Sequence, residues 1–184
     1  GISYSIENDL PINLAREIKD GKVVGILRGR AEFGPRALGN RSILASPAVR
    51  DMKNILNRKI KFREAFRPFA CICREKDLDR YFIDSYPAPF MTEIFDATKL
   101  TKEKFPSIVH ADGTCRIQSL SQQNNDFYNQ VLDNLEILGH PPLLINTSFH
   151  LSGEPIIETP QDAIRSFFSS ALDILFIENI VIKK

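Results

Sequence analysis

The sequence is poor in the side chains that do most covalent and metal chemistry. It has only three cysteines and three histidines in 184 residues. Cys71 and Cys73 lie in an apolar run, and no further Cys/His spacing completes a zinc-type set. Strand alternation is taken to turn these two thiols to opposite faces, which argues for a buried, reduced structural role over joint chelation. His110, His140 and His150 each stand without an evident acidic partner. There is no serine nucleophile elbow, no Walker-type loop and no carboxylate cluster at metal spacing. These absences point away from side-chain acid/base catalysis and toward anion binding. No run is long and apolar enough to cross a bilayer, and no signal-peptide pattern is present, so a cytoplasmic setting is the expectation. The chain begins Gly1-Ile2 and enters structure quickly, as a fragment of something longer would.

What is present is an ordinary globular composition, 43% hydrophobic and 26% charged, at a length suited to one domain with a sizeable core. The net charge of +1 gives no overall field for nucleic acid or membrane. Locally the balance differs. Eleven basic residues fall between Arg28 and Arg67, against Glu32, Asp51 and Glu64.

The pattern along the chain alternates helix and strand. Asn8 or Asp9 is placed to cap a helix with Pro11 in its first turn, ended by Gly21. Lys22–Arg28 reads as a short buried strand feeding a loop rich in glycine and arginine. Pro47 is expected to open a second helix with Val49, Met52, Leu56 and Ile60 on its inner side. FRPFACICR reads as a strand, and 77–104 as an irregular excursion with short elements and PAP at 87–89. A helix is expected from about Asn125 to Leu138, then a strand PLLIN (142–146) and a loop TSFHLSGEP. Thr159-Pro160-Gln161-Asp162 has the form of a capped helix start. DILFI and NIVIK close the chain as strands. Such interleaving predicts an α/β fold.

Four constellations carry potential chemistry. In the 29–44 loop, Gly29, Gly34 and Gly39 permit close backbone approach. Arg30, Arg36 and Arg41 there offer bidentate donors suited to phosphate oxygens, or else pair with nearby acids. Lys61-x-Arg63-x-x-x-Arg67 comes next. In an extended segment Lys61 and Arg63 point one way and can grip one polyanion; the alternative is the solvated basic end of a helix. In the Asp112-Gly113-Thr114-Cys115-Arg116-Ile117-Gln118 segment, Asp-Gly signals a hairpin turn, while Arg116 and Gln118 share a strand facing. Asn146 and Ser148 follow a buried strand, where they can bond a ligand or cap a turn. Arg50, Lys53, Arg58 and Lys59 read instead as solvated helix residues.

Taken together, EFGPRALGNRSIL, KFREAFRPFA, HADGTCRIQ, NTSF and GEPII-x-TPQDAI resemble, in order, the C-terminal half of the O-carbamoyltransferases that act on antibiotics and nodulation factors. The likeness spans roughly Gly21 to Lys184. It implies a YrdC-like domain, a twisted mixed β-sheet with flanking helices, over residues 1–184 of a longer two-domain enzyme. It implies ATP and carbamoyl phosphate as substrates, reacting to carbamoyl adenylate with loss of pyrophosphate, with Mg2+ accompanying the ATP. An N-terminal actin/hexokinase-like domain of the same polypeptide would hold its own metal and pass the carbamoyl group to an acceptor hydroxyl. By motif, Lys61, Arg67 and Arg116 would be catalytic. Arg36, Arg63, Asn146 and Ser148 would join them in binding substrate and nucleotide, and no metal ligand is expected in this chain. Two positions depart from the family pattern: His150 ends the block usually read NTSFN, and Cys71 replaces the proline of FRPFAP. A YrdC-type threonylcarbamoyl-AMP synthase acting with tRNA, and a non-catalytic nucleotide-binding module, are the competing readings. The low net charge speaks against the first.

Overall fold

A computed structural model describes residues 1–123 and 126–184. The chain runs β1 (Ser5–Ile6), α1 (Leu10–Lys19), β2 (Val24–Leu27), β3 (Arg41–Ala45), α2 (Met52–Ile55), β4 (Ala70–Arg74), α3 (Leu78–Tyr81), β5 (Ile94–Asp96), α4 (Lys99–Lys104), β6 (Thr114–Leu120), α5 (Asp126–Ile137), β7 (Leu143–Ser148), α6 (Pro160–Phe168), β8 (Ile174–Ile177) and β9 (Ile180–Lys183). Among the described residues nine strands form one sheet in the order β1-β9-β8-β2-β3-β7-β4-β6-β5. The β2–β8 and β4–β6 pairs are parallel and the remaining pairs antiparallel, giving the mixed sheet with flanking helices that the sequence predicts.

Local chemistry explains the helix starts. Asp9 caps α1 by accepting from the Ile12 amide. Thr159 and Asp162 cap α6 reciprocally, and Pro160 sits where its missing N–H costs nothing. The first residue expected for the helix at 125 lies outside the described residues.

The sheet buries apolar side chains on both faces. On one, Ile43, Cys71, Cys115, Ile117 and Ile145 pack with Met52, Leu56 and Ile60 and with Phe167 of α6. On the other, Val24, Leu44, Ile72, Leu120 and Leu144 pack under Leu14 and Ile18 of α1 and Val131 and Leu135 of α5. Cys71 and Cys73 share the first face, correcting the opposite-facing expectation. Side chains alternate with a period of two, so residues two apart point the same way. All three cysteines are buried and unpaired.

Two further differences matter for function. The helix expected from Pro47 begins only at Met52, and after one turn it widens to a π-turn over Leu56–Ile60. Its wider spacing is fixed by the Lys61 amide on the Leu56 carbonyl, 2.8 Å. Buried Asn57 also holds the carbonyls of Ala65 (3.1 Å) and Arg67 (2.9 Å). The backbone then turns through Phe62 at φ 47°, so Lys61 and Arg63 are not on one extended segment. Thr147 and Ser148, expected in a loop, extend β7, with Ser148 paired to Ser42. No helix among the described residues is long and apolar enough to cross a membrane.

Candidate functional site

Four adjacent strands change character along one face. Toward α1 and α5 this face presents Leu44 of β3, Ile72 of β4, Leu120 of β6 and Leu144 of β7, all in the apolar core. Stepping two residues along each strand in the opposite direction brings up Ser42, Ala70, Gln118 and Asn146; a further step brings Arg116 on β6 and Ser148 on β7. Register sets Asn146 opposite both Leu44 and Ala70. A polar floor thus begins where the α1/α5 layer ends.

The glycine-rich loop, residues 29–40, roofs this floor. Asn146 Nδ2 donates to the Ala37 carbonyl (3.1 Å) and to Gln118 Oε1 (2.8 Å), and Gln118 Nε2 donates to the Leu38 carbonyl (2.8 Å). These bonds fix both amide orientations, leaving Asn146 Oδ1 as an unpartnered acceptor. Glu32 Oε1 accepts from the amides of Leu38 (2.7 Å) and Asn40 (2.6 Å). At Gly39, φ is 120° and a Cβ would meet the Tyr128 ring at 2.3 Å, so only glycine lets the loop lie against α5. Arg41 departs from the phosphate-donor expectation. It is 7% exposed and its Nη atoms bind the carbonyls of Arg28, Gly29 and Asn40, so it fastens the loop's two ends together. Arg30 is exposed and does not line the cleft beneath the loop.

Between floor and loop lies a cleft of about 90 Å³. Its walls bring together Arg36, Arg63, Arg116, Asn146 and Ser148, with Pro68, Phe69 and Met91, and include no carboxylate. Arg63 Nε donates to Asn57 Oδ1 at 2.7 Å, and its guanidinium lies 4.8 Å from the Phe69 ring centre. Burial lowers the Arg63 guanidinium below its ordinary range, and the charges of Arg67 and Arg116 add to this against an opposing effect of Glu64. Burial and the charge of Arg36 do the same to Arg116. Three like charges thus share a small space without a counter-carboxylate. Arg116 Nε and Asn146 Oδ1 are buried with no hydrogen-bond partner among the described residues. An unmet buried donor and acceptor each cost about 1–3 kcal/mol, a cost that an anion carrying a donor would offset.

Lys61 and Arg67 stand elsewhere. Lys61 is 3% exposed, and its Nζ donates to the carbonyl of Ser148 and, at 3.2 Å, to that of His150. Burial, with the charge of Arg63 added, lowers it to about 7. It backs the strand end that lines the cleft. Arg67 is exposed and pairs with Glu64 at 3.1 Å, beside Pro68 and Phe69 of the lining. His150 meets Lys61 through its backbone oxygen, a contact any residue there can make, while its Nδ1 lies 2.8 Å from the Leu151 carbonyl. Of the four cations expected on a solvated helix, Arg58 and Lys59 are exposed there, Lys53 is half-buried, and Arg50 is exposed in the turn before α2. The facing of Gln118 is legible in the sequence, but not its role. Asn57, which orients Arg63, is not legible at all, because a buried Asn inside a basic helix leaves no local signal.

The sequence matches the family described as carbamoyltransferase C-terminus over residues 15–184. The chain belongs to that family. It is 38% identical to the nodulation protein NolNO of Sinorhizobium fredii over 96% of its own length and 26% of that protein. To nodulation protein U of Rhizobium tropici it is 42% identical, over 77% of this chain and 24% of that one. The chain therefore spans about a quarter of these relatives. Among solved structures, full-length HypF in a phosphate- and nucleotide-bound form superposes with a TM-score of 0.62 at 14% identity, covering 100% of this chain and 23% of that one. E. coli YciO gives 0.61 at 15% identity, covering 96% of this chain and 90% of that one. These likenesses establish the YrdC-like fold. Among the described residues no three His, Cys, Asp or Glu side chains gather to hold a metal ion. Three guanidiniums with no carboxylate among them in the cleft repel a divalent cation.

Proposed function

We propose that this chain binds ATP and carbamoyl phosphate at the guanidinium cleft and forms carbamoyl adenylate there. The observation that carries this reading is the meeting of Arg36, Arg63 and Arg116 in walls free of carboxylates. Family membership supplies the carbamoyl chemistry. Forming the adenylate requires a carbamate oxygen to attack the α-phosphorus while the bond to pyrophosphate breaks. The carbamate itself comes from carbamoyl phosphate and water, with release of inorganic phosphate. Negative charge builds on several oxygens, and fixed cations stabilise it without reorganising. Asn146 Oδ1 is the matching acceptor for the carbamoyl amino group, and Ser148 lies beside it. Lys61 holds the end of β7 and adds charge when protonated. Arg67 is exposed next to Pro68 of the lining, and in this reading it exchanges Glu64 for the phosphates. Mg2+ accompanying ATP would enter with the nucleotide, since no residue of the cleft lining is a carboxylate that would hold it.

The rest of the protein, by the proportions of its relatives, is a larger N-terminal part. In this reading that part is an actin/hexokinase-like domain with its own metal, which carries the carbamoyl group to an acceptor hydroxyl. A cytoplasmic setting, where both substrates are made, goes with it. Calorimetric titration tests the binding step: ATP and carbamoyl phosphate should both bind the chain. In the whole enzyme, Arg67→Ala and Lys61→Ala should each lower carbamoyl transfer by about 10²–10³. Normal turnover by a folded Arg67→Ala enzyme would sink the role given to that residue.

A further inference from the structure

The surroundings of Lys61 suit a neutral amine better than an ammonium. Of the chain's eleven lysines it alone is buried; Lys53 is half-buried and the other nine are exposed. Its Nζ donates to two main-chain carbonyls, those of Ser148 and His150, and no carboxylate pairs with it among the described residues. An ammonium carries three N–H donors and an amine two. The two carbonyls therefore satisfy the amine and leave its lone pair over. The titratable groups that face it are Arg63, beyond the π-turn, and His150, after β7, and neither supplies a negative charge. Burial and the Arg63 charge accordingly keep the neutral form populated near pH 7.

Placement gives this nucleophile a reagent. Ser148 lends its carbonyl to Lys61 and also lines the three-arginine cleft, so the amine stands directly behind the wall of the anion site. The other buried nucleophiles differ. Cys71, Cys73 and Cys115 lie in the apolar core, and burial pushes each thiol up, away from the reactive thiolate. Carbamoyl phosphate decomposes by elimination: its C–O bond to phosphate breaks, and a proton leaves the amino group with the phosphate. The other product is isocyanic acid, HNCO. It has three heavy atoms and no charge, so a cleft of about 90 Å³ admits it and the arginines do not hold it.

We propose that Lys61 Nζ is a carbamoylation site, at which isocyanic acid shed by carbamoyl phosphate adds while the cleft is empty. The Nζ lone pair forms a bond to the isocyanate carbon, the C=N pair moves to nitrogen, and that nitrogen takes the proton released by Nζ. The product is a neutral urea and nothing leaves. An anion in the cleft protects the amine, because it draws a proton onto Nζ and occupies the approach. The urea lacks the charge Lys61 lends the cleft, so an idle domain is inactivated by its own substrate and a loaded one is spared. This rests on the anion-cleft reading for the source of the reagent and for the protected state, and not for the reactivity of the amine.

The test treats the full chain with potassium cyanate and follows each lysine by mass spectrometry for the gain of one HNCO unit. At pH 7 an ordinary lysine is neutral in only about one molecule in three thousand. Lys61 should therefore react roughly tenfold or more faster than any exposed lysine, even with slower entry. The ratio of Lys61 to exposed-lysine labelling cancels the reagent's own ionisation. It should fall about tenfold from pH 8 to pH 9, where Lys61 is already neutral and ordinary lysines are still losing protons. Carbamoyl phosphate should yield the same urea, and saturating tripolyphosphate should slow Lys61 while leaving exposed lysines unchanged. Labelling of Lys61 no faster than of exposed lysines, a ratio level from pH 8 to pH 9, or no urea from carbamoyl phosphate overturns the site. Calorimetry on the same chain separates the two readings. Tripolyphosphate that binds without slowing Lys61 overturns the inference and leaves the cleft standing. Preferential labelling of a chain that binds no tripolyphosphate upholds the reactive amine and sinks the cleft reading.

Discussion

Arg74 and Arg116 point from the same face of neighbouring parallel strands, β4 and β6, yet the two do opposite things. The Arg74 side chain is 3% exposed and meets three carboxylates, Asp77, Asp133 and Glu136. Burial works against its charge, but the hydrogen bonds it donates to Asp77 and Glu136 outweigh this and hold it above the ordinary arginine range. Arg116 has no acidic partner in the cleft, and burial together with Arg36 holds it below that range. The first arginine is a clamp between β4, α3 and α5. The second is a charge kept unsatisfied by its own fold. What distinguishes the two arginines is the lack of a local carboxylate at Arg116, and residue type or burial alone would not separate them. The groove beside Arg74 is larger, about 470 Å³ against about 90 Å³, but its cation is already neutralised.

The comparison can be broken most severely at Arg116. Arg116→Met should weaken tripolyphosphate by about thirtyfold or more, from the ~2–5 kcal/mol lost when one member of a buried hydrogen-bonded charge pair is truncated. Its melting temperature should hold or rise, because like-charge repulsion is relieved. At Arg74 the outcomes exchange. Arg74→Met should cost about 3 kcal/mol, the low end for a broken buried ion pair, because Asp133 and Glu136 are half exposed and can return to water. That corresponds to a fall of roughly 6–12 °C in Tm, with tripolyphosphate binding unchanged.

Lys61 sharpens the comparison through pH. Its folded value of about 7 lies below the ordinary 10.5, so the unfolded chain keeps this proton longer. Stability should therefore rise with pH between about 7 and 10.5 from this group, and the gain should vanish in Lys61→Met. An anion bound in the cleft favours the charged amine. Binding at pH 8 should then take up protons, at most about one per site, and the uptake should shrink toward pH 6, where the amine is already charged. Calorimetry in buffers of different ionisation enthalpy reads this directly; equal uptake at both pH values would show that Lys61 is not coupled to the cleft. The smallest effect belongs to the surface pair. Glu64→Gln should change stability by less than about 1 kcal/mol, since Arg67 and Glu64 are 54% and 58% exposed.

Much of the fold was legible because local chemistry and tertiary packing agree in it. Asp9 with Pro11, and Thr159 with Pro160 and Asp162, announce helices that the structure contains. The buried strands are short apolar runs with no competing pattern. The second helix was legible only in its inner face: Met52, Leu56 and Ile60 are buried as their spacing predicts. Its π-turn was not, because that register is set by Asn57 reaching carbonyls eight and ten residues away. The cleft was legible as a set of residues and not as a geometry. Motif resemblance names Arg36, Arg63, Arg116, Asn146 and Ser148, which line one cavity. Nothing local to Arg41 distinguishes it from Arg36, yet one fastens the loop and the other faces the cleft. Nor does sequence reveal that Lys61 meets the backbone of residues 148 and 150. Those differences follow from which strand ends the fold brings together.

The most direct test is a crystal structure of the chain with ATP. The account predicts phosphate density among Arg36, Arg63 and Arg116, within hydrogen-bond reach of Arg116 Nε. Phosphates seated instead in the larger groove beside Arg74, with the three-arginine cleft holding only solvent, would contradict it.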